Sequence, residues 1–461
     1  MKKHFHLMGI GGIGVSGLAH ILLENGHTVS GCDHKKNALS AKLEARGVQI
    51  FEGHSADHIT HDVNVLVTST AVDASEPEVI AARGKGLRVI RRIELLGELM
   101  DAKDSIGVVG THGKTSTSSM IASVFEMCGL EPTCVVGGEV EAIGGNAKFG
   151  KGKHFIAEID ESDTYFQHVK PRTAVITNVE DDHVGIEGDV RNNYHVSLEA
   201  LHRAFRTFAQ NADVVVYCRD WHGLERMLEG LNLVSYGTLP GCDYQAKDIK
   251  LEHGGAIYTL QIRGVTVGQI HLKVPGLHNV LNSLAAVAVA DRAGIVFDKY
   301  AAALEKFKNA RRRWDVLGEY HGALVVDDYA HNPTKVENAI LGAKTTGRKV
   351  RVVFQPHRYL RVAREWQRFA ESLMHADEVI LLDIYGAGEK PIEGIHSGLI
   401  EQKMISDGHL AVKYYSRRED VLELLLVSAS DNEVIVTMGA GDITNLGREL
   451  LIRAKLEVVV S

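Results

Sequence analysis

A short glycine-rich segment, residues 110–115, constrains the fold of this chain more than any other feature of its sequence. The segment reads GTHGKT. It follows an apolar run at residues 106–109 and precedes a helical pattern at residues 117–128. A strand, a tight glycine turn and a helix N-terminus direct backbone N–H groups and the positive end of the helix dipole toward one anion. The segment therefore predicts a parallel α/β sheet with a phosphate site at one edge.

The residue types in this segment favour a nucleoside triphosphate as the anion. We expect Lys114 to contact the β- and γ-phosphates and the Thr115 hydroxyl to ligate Mg²⁺. The spacing departs from the standard motif, whose first glycine would fall at Val108. A site for another anion and a plain turn are the alternatives. The residues expected around the nucleotide phosphates are Gly110, Thr111, His112, Gly113, Lys114, Thr115 and Ser116.

Length and composition narrow the class of protein. A chain of 461 residues is expected to form two to four domains. Its net charge of −8 gives no general attraction to nucleic acid or to an anionic membrane. Five cysteines without a CxxC pair predict reduced thiols in a cytoplasmic protein. The sequence shows neither a signal-peptide pattern nor an apolar run long enough to span a membrane.

The chain divides into three blocks in which short apolar strands alternate with helical patterns. Such alternation predicts parallel sheets with right-handed crossovers. Residues 247–274 differ, because short alternating segments around glycines predict antiparallel hairpins there. We therefore expect an α/β protein of three domains. They are a Rossmann-like domain at residues 1–102, a central P-loop ATPase-type α/β domain with an added antiparallel sheet at 103–309, and a second Rossmann-like domain at 310–461.

A second glycine-rich turn opens the chain. Residues 9–14 read GIGGIG at a strand-to-helix turn, and Asp33 ends the next strand, where a dinucleotide-binding fold places its ribose-binding acid. Alone, this pattern favours NAD, with another diphosphate or a structural turn as alternatives. A second phosphate site in the same chain shifts the balance toward a nucleotide-linked substrate. Ser69 could donate to the same diphosphate or cap a helix.

Acidic residues follow two strands of the central block. Residues 158–163 contain four acids within six positions, and like charges so close repel each other unless a cation or hydrogen-bond donors are present. This favours Mg²⁺ binding by at least one of them, with a solvated acidic loop as the alternative. His183 follows the next strand beside Asp181 and Asp182, and it could complete a metal shell with Thr115 and Glu158.

Two further patterns concern the nucleotide. Asn279 and Asn282 share one face of a helix and suit the edge of a base such as adenine, with N-capping by Asn279 as the alternative. Residues 311–313 are three arginines that open the third block. They could reach a γ-phosphate or form a solvated charge run.

Two segments of the third block follow apolar strands. Residues 327–333 and 355–361 end such strands, and open α/β sheets bind ligands at the carboxyl ends of their strands. Arg358 and Arg361 are suited to gripping a carboxylate through paired hydrogen bonds.

Taken together, these motifs resemble the Mur ligase family over essentially the whole chain. The resemblance is carried in order by GIGGIGVSGLA, GTHGKTST, AEIDESD, ITNVEDDH, PGLHNVLNSLAA, DDYAHNP, FQPHRYLR and DIYGAGEKPI. It implies a first domain that binds the UDP of a sugar nucleotide, a central domain that binds ATP and a third that presents an amino acid. The glycine-rich turn at residues 9–14 then serves UDP diphosphate and not NAD.

The resemblance also implies a reaction. The matching branch of the family joins L-alanine to the carboxylate of UDP-N-acetylmuramate through an acyl phosphate, with ATP and Mg²⁺, in peptidoglycan precursor synthesis. The alternatives are a muropeptide-recycling ligase that adds a tripeptide to the same sugar nucleotide, a regulator that has lost activity, and an NAD-dependent oxidoreductase. The last leaves residues 110–115 and 158–163 unexplained. A monomer or weak homodimer is expected.

The resemblance assigns roles residue by residue. The catalytic set is Lys114, Glu158, His183, Arg312, Arg313 and His331, with Thr115, Glu158 and His183 as metal ligands. Beside the phosphate-loop residues, the ATP-facing set is His278, Asn279, Asn282 and Asp328. The substrate-facing set is Gly11, Gly12, Gly14, Asp33, Ser69, Glu161, Ser162, Asp163, Tyr329, His331, Arg358 and Arg361.

The sequence departs from the family pattern after His183. Gly185 stands where the family usually has an acid. No lysine lies between Val184 and Gln210. Several relatives use a carbamylated lysine in that stretch for a second Mg²⁺, so a second metal site in this chain needs other ligands.

Overall fold

The computed structural model describes residues 2–70, 72–185 and 195–460. The chain forms two compact units. The first comprises Met1–Ala246, Leu260–Gly268 and Leu281–Leu304, and the second comprises Lys247–Thr259, Gln269–Val280 and Glu305–Ser461. The three-domain boundaries drawn from the sequence stay a prediction. Among the described residues, no helix is both long and apolar enough to cross a membrane.

The first sheet is parallel throughout and has the strand order β3-β2-β1-β4-β5. The apolar runs at residues 4–10, 28–32, 48–51, 63–68 and 88–90 predict five strands in the first block, and all five are confirmed. The strand order reverses between β1 and β4, and such a switch point opens a crevice at the carboxyl ends of the strands. The elements are β1 (His4–Met8), α1 (Ile13–Glu24), β2 (Thr28–Asp33), α2 (Ala38–Glu44), β3 (Gln49–Glu52), β4 (Val65–Thr68), α3 (Pro77–Gly84), β5 (Arg88–Arg91) and α4 (Arg92–Asp101).

The second sheet has ten strands in the order β15-β14-β13-β12-β11-β10-β6-β9-β7-β8. Strand β6 lies between β10 and β9 and is parallel to both, so the loops after these three strands meet at one edge. The elements are β6 (Asp104–Val109), α5 (Lys114–Met127), β7 (Thr133–Val140), β8 (Gly145–Lys148), β9 (His154–Glu158), β10 (Thr173–Ile176), α6 (Leu198–Gln210), β11 (Val214–Cys218), α7 (Leu224–Met227), β12 (Leu233–Gly237), β13 (Tyr244–Glu252), β14 (Gly255–Ile262), β15 (Val265–Leu272), α8 (Leu277–Arg292) and α9 (Phe297–Lys306).

Two-residue turns join β13 to β14 and β14 to β15. His253 and Gly254 have φ angles of 53° and 71°, and Arg263 and Gly264 have 48° and 81°. Positive φ at both central residues defines the type I′ turn, whose twist matches that of an antiparallel hairpin. The turn geometry therefore agrees with the hairpins predicted for residues 247–274.

The third sheet has the order β16-β17-β21-β18-β19-β20. All pairs are parallel except β16 with β17, which is antiparallel and was not predicted. Apolar side chains fill both faces of this sheet. The elements are β16 (Asp315–Tyr320), β17 (Ala323–Asp328), α10 (Pro333–Lys344), β18 (Lys349–Phe354), α11 (Tyr359–Leu373), β19 (Glu378–Leu381), α12 (Gly398–Ser406), β20 (Val412–Tyr414), α13 (Arg418–Ser428), β21 (Glu433–Met438) and α14 (Thr444–Val460).

Candidate active site

The glycine-rich loop after β6 folds as a phosphate cradle. Gly110 has φ +145° and Gly113 has φ +80°, conformations that favour glycine. A Cβ atom at Gly110 would lie 2.0 Å from Thr177 Oγ1, and one at Gly113 would lie 2.6 Å from Asn282 Oδ1. Helix α5 begins directly after Gly113, so its first N–H groups face the loop. The helix starts three residues earlier than predicted.

Two side chains that the sequence did not single out fix this loop. Thr177 Oγ1 donates to the carbonyl oxygen of His112 at 2.6 Å. The Asn178 amide accepts the His112 N–H at 2.7 Å and donates to the His112 carbonyl at 3.0 Å. His112 Nε2 also bonds the Glu180 carboxylate at 2.5 Å. The loop is thus held in its curved shape by the segment that follows β10.

The ammonium group of Lys114 is surrounded by acceptors. Its Nζ donates to the Gly110 carbonyl at 2.6 Å and lies 2.9 and 2.7 Å from the two carboxylate oxygens of Glu161, which is fully buried. Burial alone lowers the pKa of Lys114, but the carboxylates of Glu161, Asp160 and Glu158 outweigh it and raise the pKa. Lys114 therefore stays charged beside the loop, and Glu161 is its counter-ion.

Thr115 and Glu158, two of the three predicted metal ligands, are in contact. Thr115 Oγ1 donates to Glu158 Oε1 at 3.0 Å, and the Gly137 N–H donates to Glu158 Oε2 at 2.7 Å. A hydroxyl and a carboxylate are oxygen donors of the kind that Mg²⁺ prefers, so the donors at this position fit that ion. His183 ends the short 3₁₀ turn Asp181–His183, but its side chain lies outside the described part of the chain.

The remaining residues of the acidic segment have other partners. Asp160 Oδ1 accepts the Ser162 hydroxyl at 2.7 Å, and Asp160 Oδ2 accepts from Arg92 at 2.9 Å. Asp163 is buried and lies 3.4 Å from Arg91. Burial raises the pKa of Asp163, although a backbone N–H and the two arginines act against this. These arginines end β5 and open α4, so they join the acidic segment to the first sheet.

The N-terminal glycine-rich turn lies at the switch point of the first sheet. The Gly11 N–H donates to Asp33 Oδ2 at 2.9 Å, and the Asn37 side chain donates to the Gly11 carbonyl at 3.0 Å. A Cβ atom at Gly9 would lie 3.0 Å from Ser69 Oγ, so Ser69 adjoins the turn. Gly12 is the N-cap of α1, and a Cβ atom at Gly14 would lie 2.9 Å from Arg92 Nη1. Asn37 and Arg92 were not predicted.

Helix α8 carries the predicted adenine-facing residues. Asn282 Oδ1 accepts the Thr117 hydroxyl at 3.1 Å, so this side chain lies beside the phosphate loop. In the second unit, the Asn279 side chain donates to the Pro275 carbonyl at 2.7 Å. His278 is half-buried, and loss of solvation at this position lowers its pKa to about 4.

Arginine and aspartate side chains surround Tyr329 in the second unit. The guanidinium groups of Arg312 and Arg313 lie 4.8 and 5.0 Å from the centre of the Tyr329 ring, within range of a cation–π contact. Arg312 Nη2 donates to the Gly439 carbonyl at 2.8 Å. Both oxygens of Asp328 accept backbone N–H groups, from Trp314 and Ala330. Burial raises the pKa of Asp328, while Arg313 acts to lower it.

The ends of β18 and β17 hold the other predicted amino-acid contacts. Arg358 is buried with φ +70°, and its Nε donates to the Glu389 carboxylate, which also accepts the Leu360 N–H at 3.1 Å. The sequence did not predict this internal ion pair. His331 Nδ1 lies 2.6 Å from the Tyr329 carbonyl. Arg361 lies on α11 and is partly buried.

The chain has a phosphate loop with a lysine in one sheet and a second glycine-rich turn in another. This combination is typical of an enzyme that uses a nucleoside triphosphate and a second phosphorylated substrate. The chain belongs to the Mur ligase family. Its residues 4–104 match the model of the Mur ligase family catalytic domain, 108–290 that of the Mur ligase middle domain, and 312–441 that of the Mur ligase glutamate ligase domain. The predicted family and three-domain α/β fold class are confirmed.

Named relatives cover nearly the whole chain. UDP-N-acetylmuramate–L-alanine ligase of Deinococcus radiodurans is 48% identical over 97% of this chain and 93% of its own length. The ligase of the same name from Carboxydothermus hydrogenoformans is 42% identical over 97% and 96%. The crystal structure of the UDP-N-acetylmuramate–alanine ligase of Thermotoga maritima is 29% identical, with a TM-score of 0.83 over 98% of this chain and 99% of that one. The NAD-dependent oxidoreductase alternative is therefore set aside.

Proposed function

We propose that this chain is an ATP-dependent ligase that joins L-alanine to the carboxylate of UDP-N-acetylmuramate in peptidoglycan precursor synthesis. The observation that carries the proposal is its 48% identity, over 97% of the chain, to a ligase of that name. The charged Lys114 in the phosphate cradle argues against a regulator that has lost activity. The recycling ligase, which adds a tripeptide, remains the alternative to be tested.

The two glycine-rich turns divide the phosphorylated substrates between two sheets. The turn at residues 9–14, closed by Asp33, is the proposed site for the UDP diphosphate, because backbone N–H groups at a switch point suit a pyrophosphate. The loop at residues 110–115 is the proposed site for ATP. Asn282 lies beside that loop and suits contact with the nucleotide.

Thr115, Glu158 and His183 would hold Mg²⁺ in this proposal. The bound ion would neutralise phosphate charge and help align the reacting groups. Lys114 supplies a fixed positive charge at the loop for the same phosphates. Glu158 is kept in place by Thr115 and the Gly137 N–H, so the carboxylate need not reorganise.

The chemistry requires an activated carboxylate, because a carboxylate ion is a poor electrophile at neutral pH. The muramate carboxylate attacks the γ-phosphorus of ATP to give an acyl phosphate and ADP. The amine of L-alanine then attacks the acyl carbon, and phosphate leaves as the amide forms. Phosphoryl transfer depends mostly on positioning and charge neutralisation, which Lys114 and an arginine, Arg312 or Arg313, supply in this proposal.

The third domain is proposed to present L-alanine. Tyr329 and His331 follow β17, and Arg358 and Arg361 follow β18. A His331 Nδ1–H that donates to the Tyr329 carbonyl leaves Nε2 as the nitrogen able to accept a proton from the alanine ammonium group. His331 is therefore the proposed base. Arg358 is paired with Glu389, so we assign it to positioning the segment around the amino-acid site.

Two properties of the whole protein complete the proposal. The five cysteines are free thiols, and four of them are buried, which fits the reducing conditions of the cytoplasm. We propose a cytoplasmic enzyme that acts as a monomer or weak homodimer.

Phosphate release from ATP tests the reaction directly. Purified protein is mixed with ATP, Mg²⁺ and UDP-N-acetylmuramate, and candidate amines are added one at a time. We expect phosphate release with L-alanine. Release only with the tripeptide L-alanyl-D-glutamyl-diaminopimelate would move the protein to the recycling branch. No release with any amine would refute the ligase assignment.

A further inference from the structure

A cluster of metal-ligand side chains in the first unit has no part in the proposed reaction. His6 lies on β1, Cys32 on β2, His58 at the end of the 3₁₀ turn Ala56–His58 and Glu78 in α3. Each offers one ligand atom, and these atoms all lie within 4.8 Å of one another. His6, Cys32 and Glu78 are each fully buried. Imidazole, thiolate and carboxylate at such a spacing are the usual ligands of a transition metal.

A relay of hydrogen bonds orients His6 toward this cluster. His4 Nδ1 bonds Asp62 at 2.8 Å, His4 Nε2 bonds Ser30 Oγ at 2.8 Å, and His6 Nδ1 bonds the same oxygen at 2.9 Å. Asp62 can only accept, so His4 donates through Nδ1, and an imidazole that carries one proton then accepts the Ser30 hydroxyl proton through Nε2. Ser30 Oγ then accepts from His6 Nδ1. The lone pair of His6 is thereby placed on Nε2, a buried atom with no hydrogen-bond partner.

The protonation state of His6 agrees with this arrangement. Burial, and to a smaller degree His58, lower the pKa of His6 to about 4. His6 is therefore neutral at neutral pH and has one nitrogen with a lone pair. Second-shell hydrogen bonds of this kind, running from a carboxylate to a ligating imidazole, fix the tautomer and orientation of metal-bound histidines.

Several hydrogen-bond donors hold the Glu78 carboxylate at the cluster. Its Oε1 accepts the Ser55 N–H at 3.1 Å and lies 2.9 Å from His58 Nδ1 and 3.2 Å from His54 Nδ1. Its Oε2 is buried, and the Cys32 thiol is a further hydrogen-bond donor to this carboxylate. A buried carboxylate needs a donor or a cation as its partner, and a bound cation can take the place of the thiol proton.

We propose that His6, Cys32, His58 and Glu78 form a tetrahedral zinc site. A thiolate ligand selects Zn²⁺ over Mg²⁺ and Ca²⁺, which prefer oxygen ligands. One thiolate and one carboxylate balance the charge of a divalent ion, so the complex adds no net charge to a buried position. Four protein ligands fill the coordination shell, which makes the site structural.

Cys32 would lose a proton when the ion binds. Burial, and next the charge of Glu78, raise the pKa of the Cys32 thiol far above its ordinary value. The metal-free thiol is therefore neutral, and Zn²⁺ replaces its proton, which passes to solvent.

The site connects to the first glycine-rich turn through the backbone. The Cys32 carbonyl accepts the N–H groups of Gly9 and Ile10 at 2.8 and 3.1 Å, and the adjacent Asp33 accepts that of Gly11. A metal bound to Cys32 would anchor the strand end that holds this turn. The zinc site itself does not depend on the proposed function, since none of its ligands belongs to the proposed substrate sites.

Cobalt substitution tests the proposal, because Co²⁺ bound to a thiolate gives an intense charge-transfer band in the near ultraviolet. The full-length protein is stripped of metal with a chelator, titrated with Co²⁺ and then with Zn²⁺. We expect a band that saturates at about one Co²⁺ per chain and disappears as Zn²⁺ displaces the ion. Absence of this band in the folded wild-type protein would overturn the proposal.

Single substitutions identify the residues that give rise to the charge-transfer band. Cys32→Ser is expected to lose it, whereas the matched control Cys128→Ser, which removes a thiol outside the cluster, keeps it. His58→Gln changes a half-buried ligand and covers the case in which Cys32→Ser does not fold; it should weaken Co²⁺ binding at least tenfold. A band of unchanged affinity in His58→Gln, or one that survives in Cys32→Ser, would refute the assigned ligands. Thr115 and Glu158 offer no thiolate, so cobalt bound there gives no such band.

Discussion

Glu161→Gln is the substitution that tests most sharply how Lys114 is used. In the structure the Glu161 carboxylate holds the lysine that is proposed to bind the ATP phosphates. Phosphate oxygens must therefore share Lys114 with Glu161 or displace it. Glutamine keeps the size of the side chain and removes its charge, so the competition falls and so does the repulsion between Glu161 and the phosphates.

The expected change in ATP affinity follows from the distance between the Lys114 ammonium group and the Glu161 carboxylate. Two unit charges 2.7 Å apart attract with roughly 6 kcal/mol at an effective dielectric constant of about 20. Desolvation cancels most of this gross attraction, and Asp160 and Glu158 still stabilise the lysine in the variant. A net competition of about 1.5 kcal/mol corresponds to an affinity for ATP that is about tenfold higher in Glu161→Gln.

Isothermal titration calorimetry of ATP in the presence of Mg²⁺ measures this change. Asp163→Asn is the matched control, because Asp163 belongs to the same acidic segment but pairs with Arg91 and not with Lys114. We expect its ATP affinity to stay within about twofold of the wild type. Unchanged or weaker ATP binding in Glu161→Gln would refute the reasoning, since Glu161 would then support the phosphate site and not compete for it.

Four further predictions address separate parts of the molecule. Lys114→Ala should lower phosphate release by about 10³-fold or more while UDP-N-acetylmuramate binding, followed by calorimetry, stays nearly unchanged; loss of both would contradict separate sites. Asp33→Ala removes the acceptor of the Gly11 N–H and should weaken UDP-N-acetylmuramate binding about tenfold with ATP binding intact. A Cβ atom at Gly31 would lie 2.4 Å from the Leu7 carbonyl oxygen, so Gly31→Ala should lower the free energy of unfolding in urea by about 1–3 kcal/mol. Gly84→Ala is the control and should leave it unchanged, because a Cβ atom at Gly84 meets nothing within 4 Å. Burial lowers the pKa of His278 to about 4, so as the pH falls the unfolded chain binds a proton at this residue before the folded chain does. The free energy of unfolding is therefore unaffected by His278 above about pH 6.5 and declines between pH 6.5 and pH 4. The thermal midpoint of His278→Gln should decline less than that of the wild type over this range.

Sequence patterns predicted buried strands such as β1, and also the more exposed strands β3 and β5. Strand β1 and its neighbours β2 and β4 are short and mostly buried, which is typical of central parallel strands. Strand β16 escaped prediction because it is an antiparallel edge strand of mixed polarity with mostly half-exposed or exposed residues. Strand β7 contains two consecutive glycines that obscure its pattern. Strand β11 was also not predicted, although its run VVVYC is apolar throughout and could have indicated a strand.

The site was predictable where one short segment carries the chemistry. Lys114 and Thr115 stand in one loop, and Glu158 ends a strand that the pattern had already placed. The partners that complete the site come from distant segments: Asn178 bonds a residue 66 positions away, and Glu161 pairs with a lysine 47 positions away. Arg358 and Glu389 are 31 positions apart. Residue type suggested that each could bind something, but only the fold decides which partner it meets.

The hydrogen bonds between Asn178 and His112 also limit how the length of this loop can change, in evolution or by protein engineering. Strands β6 and β10 pair in register, and the bonds from Thr177 N–H to Val109 and from Thr111 N–H to the Asn178 carbonyl extend that ladder. The Asn178 side chain then serves as one more rung, accepting and donating as a neighbouring backbone would. Inserting or deleting a single residue between Val109 and Lys114 would shift the hydrogen bonds that follow Val109 and misplace the lysine. We therefore expect the length of this loop to be as tightly constrained as the identity of Gly110 and Gly113.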